Sequence, residues 1–396
     1  MASQSAPQSI QPGISIGPRV RKSPFFDATL RSGAQMFTVY NQTYLPTLYT
    51  DPVDEYWKLV TGVTLWDVAC QRQVEITGPD ALRLVQRLTP RDVSRCRPGH
   101  CWYVLLTGED GGIVNDAVLL RFEDDRFWLS PGDGDVLLWT QGVAVDSGFD
   151  VRVSEPDVSP LQLQGPYSPH VAQALFGDAA LELPYYGLLQ TSLDGIPLVL
   201  SRTGWSGELG YELFLRDSAH GDRLWDAVMA AGAPWRIAPI APSTIRSIEG
   251  GLLSYVADIA RTDNPFTLGL ERLLDLDKPG GFIGQEALRR IAAEGARRRL
   301  VGVELLGEPL RTSNEHFWPV SHRGVRVGHV TRCTYSPRLQ KNIGFANVPI
   351  AQAAEGTRLG VDAPFGPLQA TVCAWPWVPA EKRLPERLQP DGAQAP

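Results

Sequence analysis

The chain has 396 residues, 43% of them hydrophobic and 20% charged, a composition for a globular protein of two or three domains. Acidic residues outnumber basic ones by 44 to 37, a formal net charge of −7, which excludes a basic nucleic-acid surface running along the whole chain. No stretch reaches 18 apolar residues and five cysteines occur without a C-x-x-C pair, so neither a membrane span nor a disulfide framework nor a zinc site is expected, and no metal is assigned.

Residues 1–22 are rich in Ser, Gln and Pro, lack the apolar stretch of a secretion signal and read as a disordered leader. The expected compartment is a reducing bacterial cytoplasm. Residues 23–155 read as a first α+β domain. In it, Gly78-Pro79-Asp80-Ala81 turns into an amphipathic helix carrying Leu82, Leu84, Val85 and Leu88. Strands follow at Trp102–Leu106, Ala117–Leu120 and Phe127–Leu129, separated by Gly- and Asp-rich turns, and a helix runs from Gly134 through Val145. Residues 156–298 read as a second α+β domain with a connector. Leu161-Gln-Leu-Gln-Gly165-Pro opens it, helices are expected over 168–176 and 221–231, and the charged segment 285–299 is the connector. The pattern of strand, Gly-Pro and helix thus occurs twice, at 74–88 and 161–176. Residues 299–378 carry short β-rich runs punctuated by Gly and Pro, the pattern of a small antiparallel barrel, and 379–396 read as a disordered tail.

Most familiar catalytic signatures are missing: there is no G-x-S-x-G, H-E-x-x-H or P-loop. Gly132-Asp133-Gly134 has half of a dinucleotide fingerprint without the third glycine, and Asp133 and Asp135 read as turn residues. Two carboxylates stand out. Asp116 follows Gly111-Gly-Ile-Val-Asn115 at the start of a strand. Glu212 interrupts an apolar strand after the glycine-rich Ser201-Arg-Thr-Gly-Trp205-Ser-Gly-Glu-Leu-Gly, where a buried charge is costly without a hydrogen-bonding partner.

In order and spacing, several segments together carry a resemblance: Trp66-Asp-Val-Ala, Gly78-Pro-Asp-Ala, Gly111-Gly-Ile-Val-Asn-Asp116, Leu163-Gln-Gly-Pro166, Ser201-Arg-Thr-Gly-Trp205, Glu249-Gly-Gly-Leu-Leu-Ser-Tyr255 and Phe282-Ile-Gly-Gln-Glu-Ala-Leu288. From about Pro24 to Trp377 the chain resembles the tetrahydrofolate-dependent aminomethyltransferases, the glycine-cleavage T-proteins and their demethylase relatives. Within them it is most similar to dimethylsulfoniopropionate demethylase-like members. The resemblance implies an α+β fold of three domains in a cloverleaf with a C-terminal antiparallel β-barrel, and tetrahydrofolate in a central channel. It also implies methyl transfer from a small methylated sulfonium, ether or amine to folate N5.

Carried over residue by residue, Asp116 is implied beside the reactive nitrogens, Glu212 on the pterin N–H donors, and Tyr103, Tyr185 and Trp205 along the folate. Tyr40, Trp66 and Asn115 are implied on the donor side. Where T-proteins have an arginine this chain has Ser243, and a nearby arginine is displaced by one position, about 100° around a helix. Arg246 is the residue left to meet the cofactor. Asn115 replaces the first of two adjacent aspartates, which argues against a T-protein and its lipoyl carrier partner. A non-catalytic folate-binding regulator would carry a K-G-C-Y-x-G-Q-E signature, which this chain lacks. The altered arginines leave open a folate-independent enzyme that reuses the channel.

Overall fold

The Val74–Thr77 strand turns at Gly78 into the Ala81–Leu88 helix, and the Ser159–Gln164 strand turns at Gly165 into the Ser168–Phe176 helix. Both glycines hold φ near +120°, and a Cβ would sit 2.6 Å from the Asp150 carbonyl in the first case and 2.5 Å from the Gly62 carbonyl in the second. Only glycine fits that approach, which is why the two halves share the motif. The computed structural model describes residues 14–384.

In the first half a five-stranded antiparallel sheet has the order His100–Thr107, Ile113–Arg121, Arg126–Pro131, Val74–Thr77, Arg152–Ser154. Strand residues alternate between faces. Ala117, Leu119, Phe127 and Leu129 pack beneath the Ala81–Leu88 and Val136–Ser147 helices, whereas Val118, Leu120 and Trp128 face the opposite way. The second sheet has six strands in the order Leu188–Leu193, Ile196–Ser201, Gly210–Leu215, Ser159–Gln164, Thr64–Asp67, Ala238–Pro239. One face, with Leu161, Leu163, Leu200 and Leu213, is covered by Val171, Leu224, Trp225 and Val228 of its helices. From the other face, Leu188, Val199 and Phe214 meet Cys101, Leu120 and Trp128 of the first sheet. The two sheets therefore stand back to back around a shared interior.

The expected boundary at 155/156 does not separate two cores. The Thr64–Asp67 strand pairs with Ser159–Gln164 and Ala238–Pro239, and Phe25, Ala28, Val63, Leu65 and Ala69 lie in the core of the second sheet. Contiguity along the chain misleads here, because the pairing joins residues about a hundred positions apart.

The Gln285–Glu294 helix is the connector, stopping at Gly295. It leads into a closed barrel of Arg298–Leu306, Lys341–Pro349, Val325–Ser336, Trp318–His322, Arg358–Ala363 and Gly366–Cys373, antiparallel throughout. Closure leaves no exposed sheet edge. Inward side chains such as Val303, Val320, Val330, Val361 and Val372 fill it. A further cluster containing Leu105, Ile113, Ile248, Leu300 and Phe345 joins the first sheet, the Thr244–Glu249 helix and the barrel. The α+β fold with a C-terminal barrel is thus the one expected.

Both termini are more ordered than expected where they are described. Arg21 pairs with the hairpin of Met36–Tyr40 and Thr43–Leu48 through its N–H to Gln42 O at 2.8 Å and its carbonyl to Tyr44 N at 3.0 Å. At the other end, Glu381 N donates to Gly207 O at 3.2 Å and Lys382 lies over the Tyr185 ring at 4.4 Å. Backbone pairing, to which composition is blind, corrects the leader and tail in residues 14–22 and 379–384; residues 1–13 and 385–396 lie outside the described residues. Among the described residues no helix is long and apolar enough to cross a membrane.

Candidate functional site

Asp116 lies in the Ile113–Arg121 strand with the same parity as Val118 and Leu120, so it looks toward the second sheet. Tyr103 stands on the neighbouring strand and donates from its hydroxyl to Asp116 Oδ2 at 2.9 Å. Asp116 Oδ1 is buried and has no hydrogen-bond partner among the described residues. Burial pushes the Asp116 carboxyl up to about 6, against the opposing Tyr103 hydrogen bond. Burial and the Asp116 charge push the Tyr103 phenol well above its ordinary value, so it stays a donor.

Glu212 is on the facing sheet. Register places Ser201, Glu212, Gln162 and Trp66 in one row across four strands, and directly paired residues share a face. Gln162 Nε2 donates to Glu212 Oε1 at 2.9 Å, and the Thr203 hydroxyl donates to Oε2. Gln162 Oε1 accepts from Trp205 N at 3.3 Å, and Trp205 Nε1 donates to Leu253 O at 3.2 Å. Burial raises Glu212 while the Thr203 and Gln162 bonds oppose the shift. The Glu212 charge reaches Cys101 and Tyr186, and Tyr186 in turn acts on Tyr103. Asp116 with Tyr103 and Glu212 with Gln162 thus stand on the two facing sheets.

A turn at Gly132–Gly134 covers the Asp116 end. Asn115 Nδ2 donates to Asp133 O at 2.7 Å and Asn115 Oδ1 accepts from Gly132 N at 3.0 Å. Asn41, next to Tyr40, donates from Nδ2 to Gly132 O at 2.9 Å and accepts from Gly134 N at 2.8 Å. The Tyr40 phenol is raised by burial and by the charges of Cys70, Asp116 and Asp133.

Four expectations are corrected. Asn115 is fully buried with both polar atoms engaged by the turn, so it shapes the donor side and does not line it. Trp66 is 0% exposed, packed with Leu59, Val68 and Ile240, and its indole N–H donates to Thr64 Oγ1 at 2.9 Å, which leaves no free face for a donor. Tyr185 is 39% exposed and packs edge-on against Tyr186, so the interior tyrosine is its neighbour. Arg246 is 1% exposed and donates to Glu208 Oε1 at 2.6 Å, Gly207 O at 2.9 Å and Val378 O at 3.3 Å. Its guanidinium braces the protein internally. The partners of Glu212 that sequence reasoning missed are Gln162 and Thr203. The signal for Gln162 and Thr203 was their place beside a carboxylate that needed partners.

Two features test whether tetrahydrofolate fits. Asp116 Oδ1 is an orphaned buried acceptor. Glu212 has two of the roughly four acceptor positions of a carboxylate filled, which leaves room for donors on a ligand. A molecule with N–H groups at two places satisfies both, so the residues present fit the cofactor. A separate cavity of about 480 Å³ lies between connector and barrel, with Asp263, Arg298, His329 and Asn347 in its wall. There Arg298 is bonded to Asn347 Oδ1 and Val327 O, and Asn347 to Asp263, so those polar groups satisfy one another.

Residues 25–278 match the GCVT N-terminal domain and residues 298–378 the glycine cleavage T-protein C-terminal barrel domain. The dimethylsulfoniopropionate demethylase DmdA of Ruegeria pomeroyi is 36% identical over 356 residues, covering 89% of this chain and 96% of that protein. An aminomethyltransferase of Symbiobacterium thermophilum is 31% identical over 372 residues, covering 90% and 97%. The solved glycine cleavage system aminomethyltransferase T from Bartonella henselae superposes with a TM-score of 0.82 at 22% identity, over 92% of this chain and 99% of that one, a likeness of fold. The chain belongs to the glycine cleavage T-protein family.

Proposed function

We propose that the protein is a tetrahydrofolate-dependent demethylase that takes a methyl group from a small sulfonium compound of the dimethylsulfoniopropionate class. The observation that carries this reading is the orphaned Asp116 Oδ1, whose companion oxygen Oδ2 is held by Tyr103, with the Gln162-braced Glu212 on the facing sheet. Similarity to the R. pomeroyi demethylase, higher than to the S. thermophilum aminomethyltransferase, supports the donor class.

Tetrahydrofolate, when bound, supplies a nucleophilic amine, N5, as methyl acceptor. Glu212 accepts hydrogen bonds from the donor-bearing edge of the ring system and so fixes its depth, a charge-assisted contact that compensates burial of the carboxylate. Asp116 Oδ1 would take up the proton released at the acceptor amine, and a sulfonium donor would leave as a thioether that keeps the C–S electron pair. A carboxyl near 6 suits that task, being ionised at neutral pH yet basic enough to hold a proton. Tyr103 keeps the carboxylate in one orientation, and alignment of donor and acceptor contributes much of the acceleration.

The test is anaerobic incubation of the purified protein with tetrahydrofolate and dimethylsulfoniopropionate, followed by mass spectrometry. Equal amounts of 5-methyltetrahydrofolate and 3-(methylthio)propionate are expected. Saturable tetrahydrofolate binding without either product would sink the donor assignment, and absence of binding would sink the cofactor.

A further inference from the structure

The segment 252–259 follows the Thr244–Glu249 helix and touches the neighbours of both site carboxylates. Leu253 O accepts from Trp205 Nε1 at 3.2 Å, and Trp205 N donates to the Gln162 that braces Glu212. Two residues on, the Tyr255 hydroxyl donates to Val114 O, in the strand of Asp116. A Cβ added at Gly132 would lie 3.0 Å from Tyr255 Cβ and 3.0 Å from Asp116 Oδ1, so Tyr255 and the orphaned oxygen close on the same glycine.

This strap does not hold its shape unaided. Val256 has φ 71°, a conformation strongly disfavoured for a β-branched residue, and its side chain is exposed, so no packing of its own compensates. Such a backbone persists where the surroundings over-determine it, and here the barrel strand Val325–Ser336 does so. Asp258, with a fully buried side chain, accepts from Ser254 N at 2.9 Å, from Thr331 Oγ1 at 2.7 Å and from Arg332 Nε at 2.6 Å. Arg332 directs its other nitrogens to Ser247 Oγ at 3.0 Å and Leu252 O at 2.7 Å, and its guanidinium lies 5.8 Å from the Trp205 ring centre. One guanidinium therefore grips the strap at Leu252 and again at Asp258.

We propose that Arg332 is a positioning residue for the cofactor site: it clamps the 252–259 strap and thereby holds Trp205 beside the Gln162–Glu212 pair and Tyr255 beside Asp116. The inference rests on the methyl-transfer reading above and gives the barrel a part in it. The planar fork is what the task needs. A lysine at 332 keeps Asp258 from becoming a bare buried charge, but its ammonium is a single point that cannot reach Ser247, Leu252 and Asp258 together.

The test uses the full chain labelled with 5-fluorotryptophan, as wild type, Arg332→Lys and Thr331→Val, read by fluorine NMR and by calorimetric titration with tetrahydrofolate. The resonances of Trp205 and Trp225 are assigned by their loss in Trp205→Phe and Trp225→Phe. In both variants the Trp205 resonance is expected to shift or broaden while that of Trp225, in the core of the second sheet, stays in place. The Thr331 hydroxyl bonds Asp258 and Phe345 O, so in Thr331→Val the disturbance reaches Trp205 along the strap. Tetrahydrofolate affinity should fall roughly 3–30-fold in Arg332→Lys and by less in Thr331→Val. An unmoved Trp205 resonance in either folded variant overturns the proposal, as does unchanged affinity in Arg332→Lys. Equal disturbance of Trp205 and Trp225 overturns it too, by making Arg332 a brace of the whole fold. Absence of tetrahydrofolate binding in the wild type would count instead against the underlying reading, and the Trp205 resonance would still decide whether the clamp exists.

Discussion

The Tyr103 hydroxyl holds one oxygen of Asp116 at 2.9 Å and leaves the other buried and bare. The pair comes from adjacent antiparallel strands, with Tyr103 opposite Val118 and Asp116 opposite Leu105, so the phenol reaches diagonally across the sheet. The carboxylate is thereby oriented without being satisfied, which is the state a proton acceptor needs before its ligand arrives.

Asp116→Asn is expected to lower turnover by roughly 10²–10⁴-fold while tetrahydrofolate affinity changes little. Single-turnover kinetics beside calorimetry will separate the two. An active variant would remove Asp116 from the chemistry.

The same substitution should stabilise the protein. Burial raises the Asp116 carboxyl from 3.8 to about 6, so the folded state holds the proton more tightly than the unfolded chain. Stability therefore falls as pH rises through that window and stays lowered above it. Asp116→Asn should gain at most about 3 kcal/mol at pH 7–8 and nothing below pH 4, read from denaturant melts across pH.

Tyr103→Phe removes a hydrogen bond that holds Asp116 down, so the carboxyl should move above 6. The acidic limb of the pH–rate profile should shift upward, with a larger deficit at pH 6 than at pH 9. A uniform loss at every pH would mean that Tyr103 only shapes the wall.

Gln162→Leu deprives Glu212 Oε1 of its donor and Trp205 N of its acceptor. Leaving such groups unsatisfied costs about 1–3 kcal/mol each, and tetrahydrofolate affinity should fall on the order of tenfold. Unchanged affinity would mean that Glu212 needs no brace.

Arg246→Ala should act on stability. It leaves Glu208 without its partner and frees the Gly207 and Val378 carbonyls, a loss of about 3–5 kcal/mol. Urea melts check the size, and an intact cofactor affinity in the folded fraction would confirm a bracing role.

Glu212 stood out because a carboxylate inside an apolar strand demands a partner, whereas Asp116 follows a Gly-Gly turn and drew its expected role from the resemblance. Gln162 was harder to see, because a polar residue alternating with Leu161 and Leu163 looks like any strand facing water, and only the register with Glu212 gives it a role. Tyr185 and Tyr186 differ by a turn: Tyr186 has φ 64°, in a bend closed by Gly187 N to Pro184 O at 2.7 Å, and that geometry sends one ring inward and the other out. Arg246 could be found on its helix but not its partners, since Gly207, Glu208 and Val378 are distant in the chain. The barrel was legible from Gly- and Pro-punctuated β runs, whereas the membership of Thr64–Asp67 in the second sheet was not, because strand pairing at long separation leaves no local trace.

The Thr64–Asp67 strand has a consequence for how the protein is made. Among the described residues Thr64–Asp67 has sheet partners only at 159–164 and 238–239, so a ribosome releases it long before either exists. Its buried residues Leu65 and Trp66 must wait, exposed or sheltered by a chaperone, while nearly a hundred further residues emerge. A chain cut near 155 is expected to yield two fragments that are insoluble apart and recover a fold only when mixed.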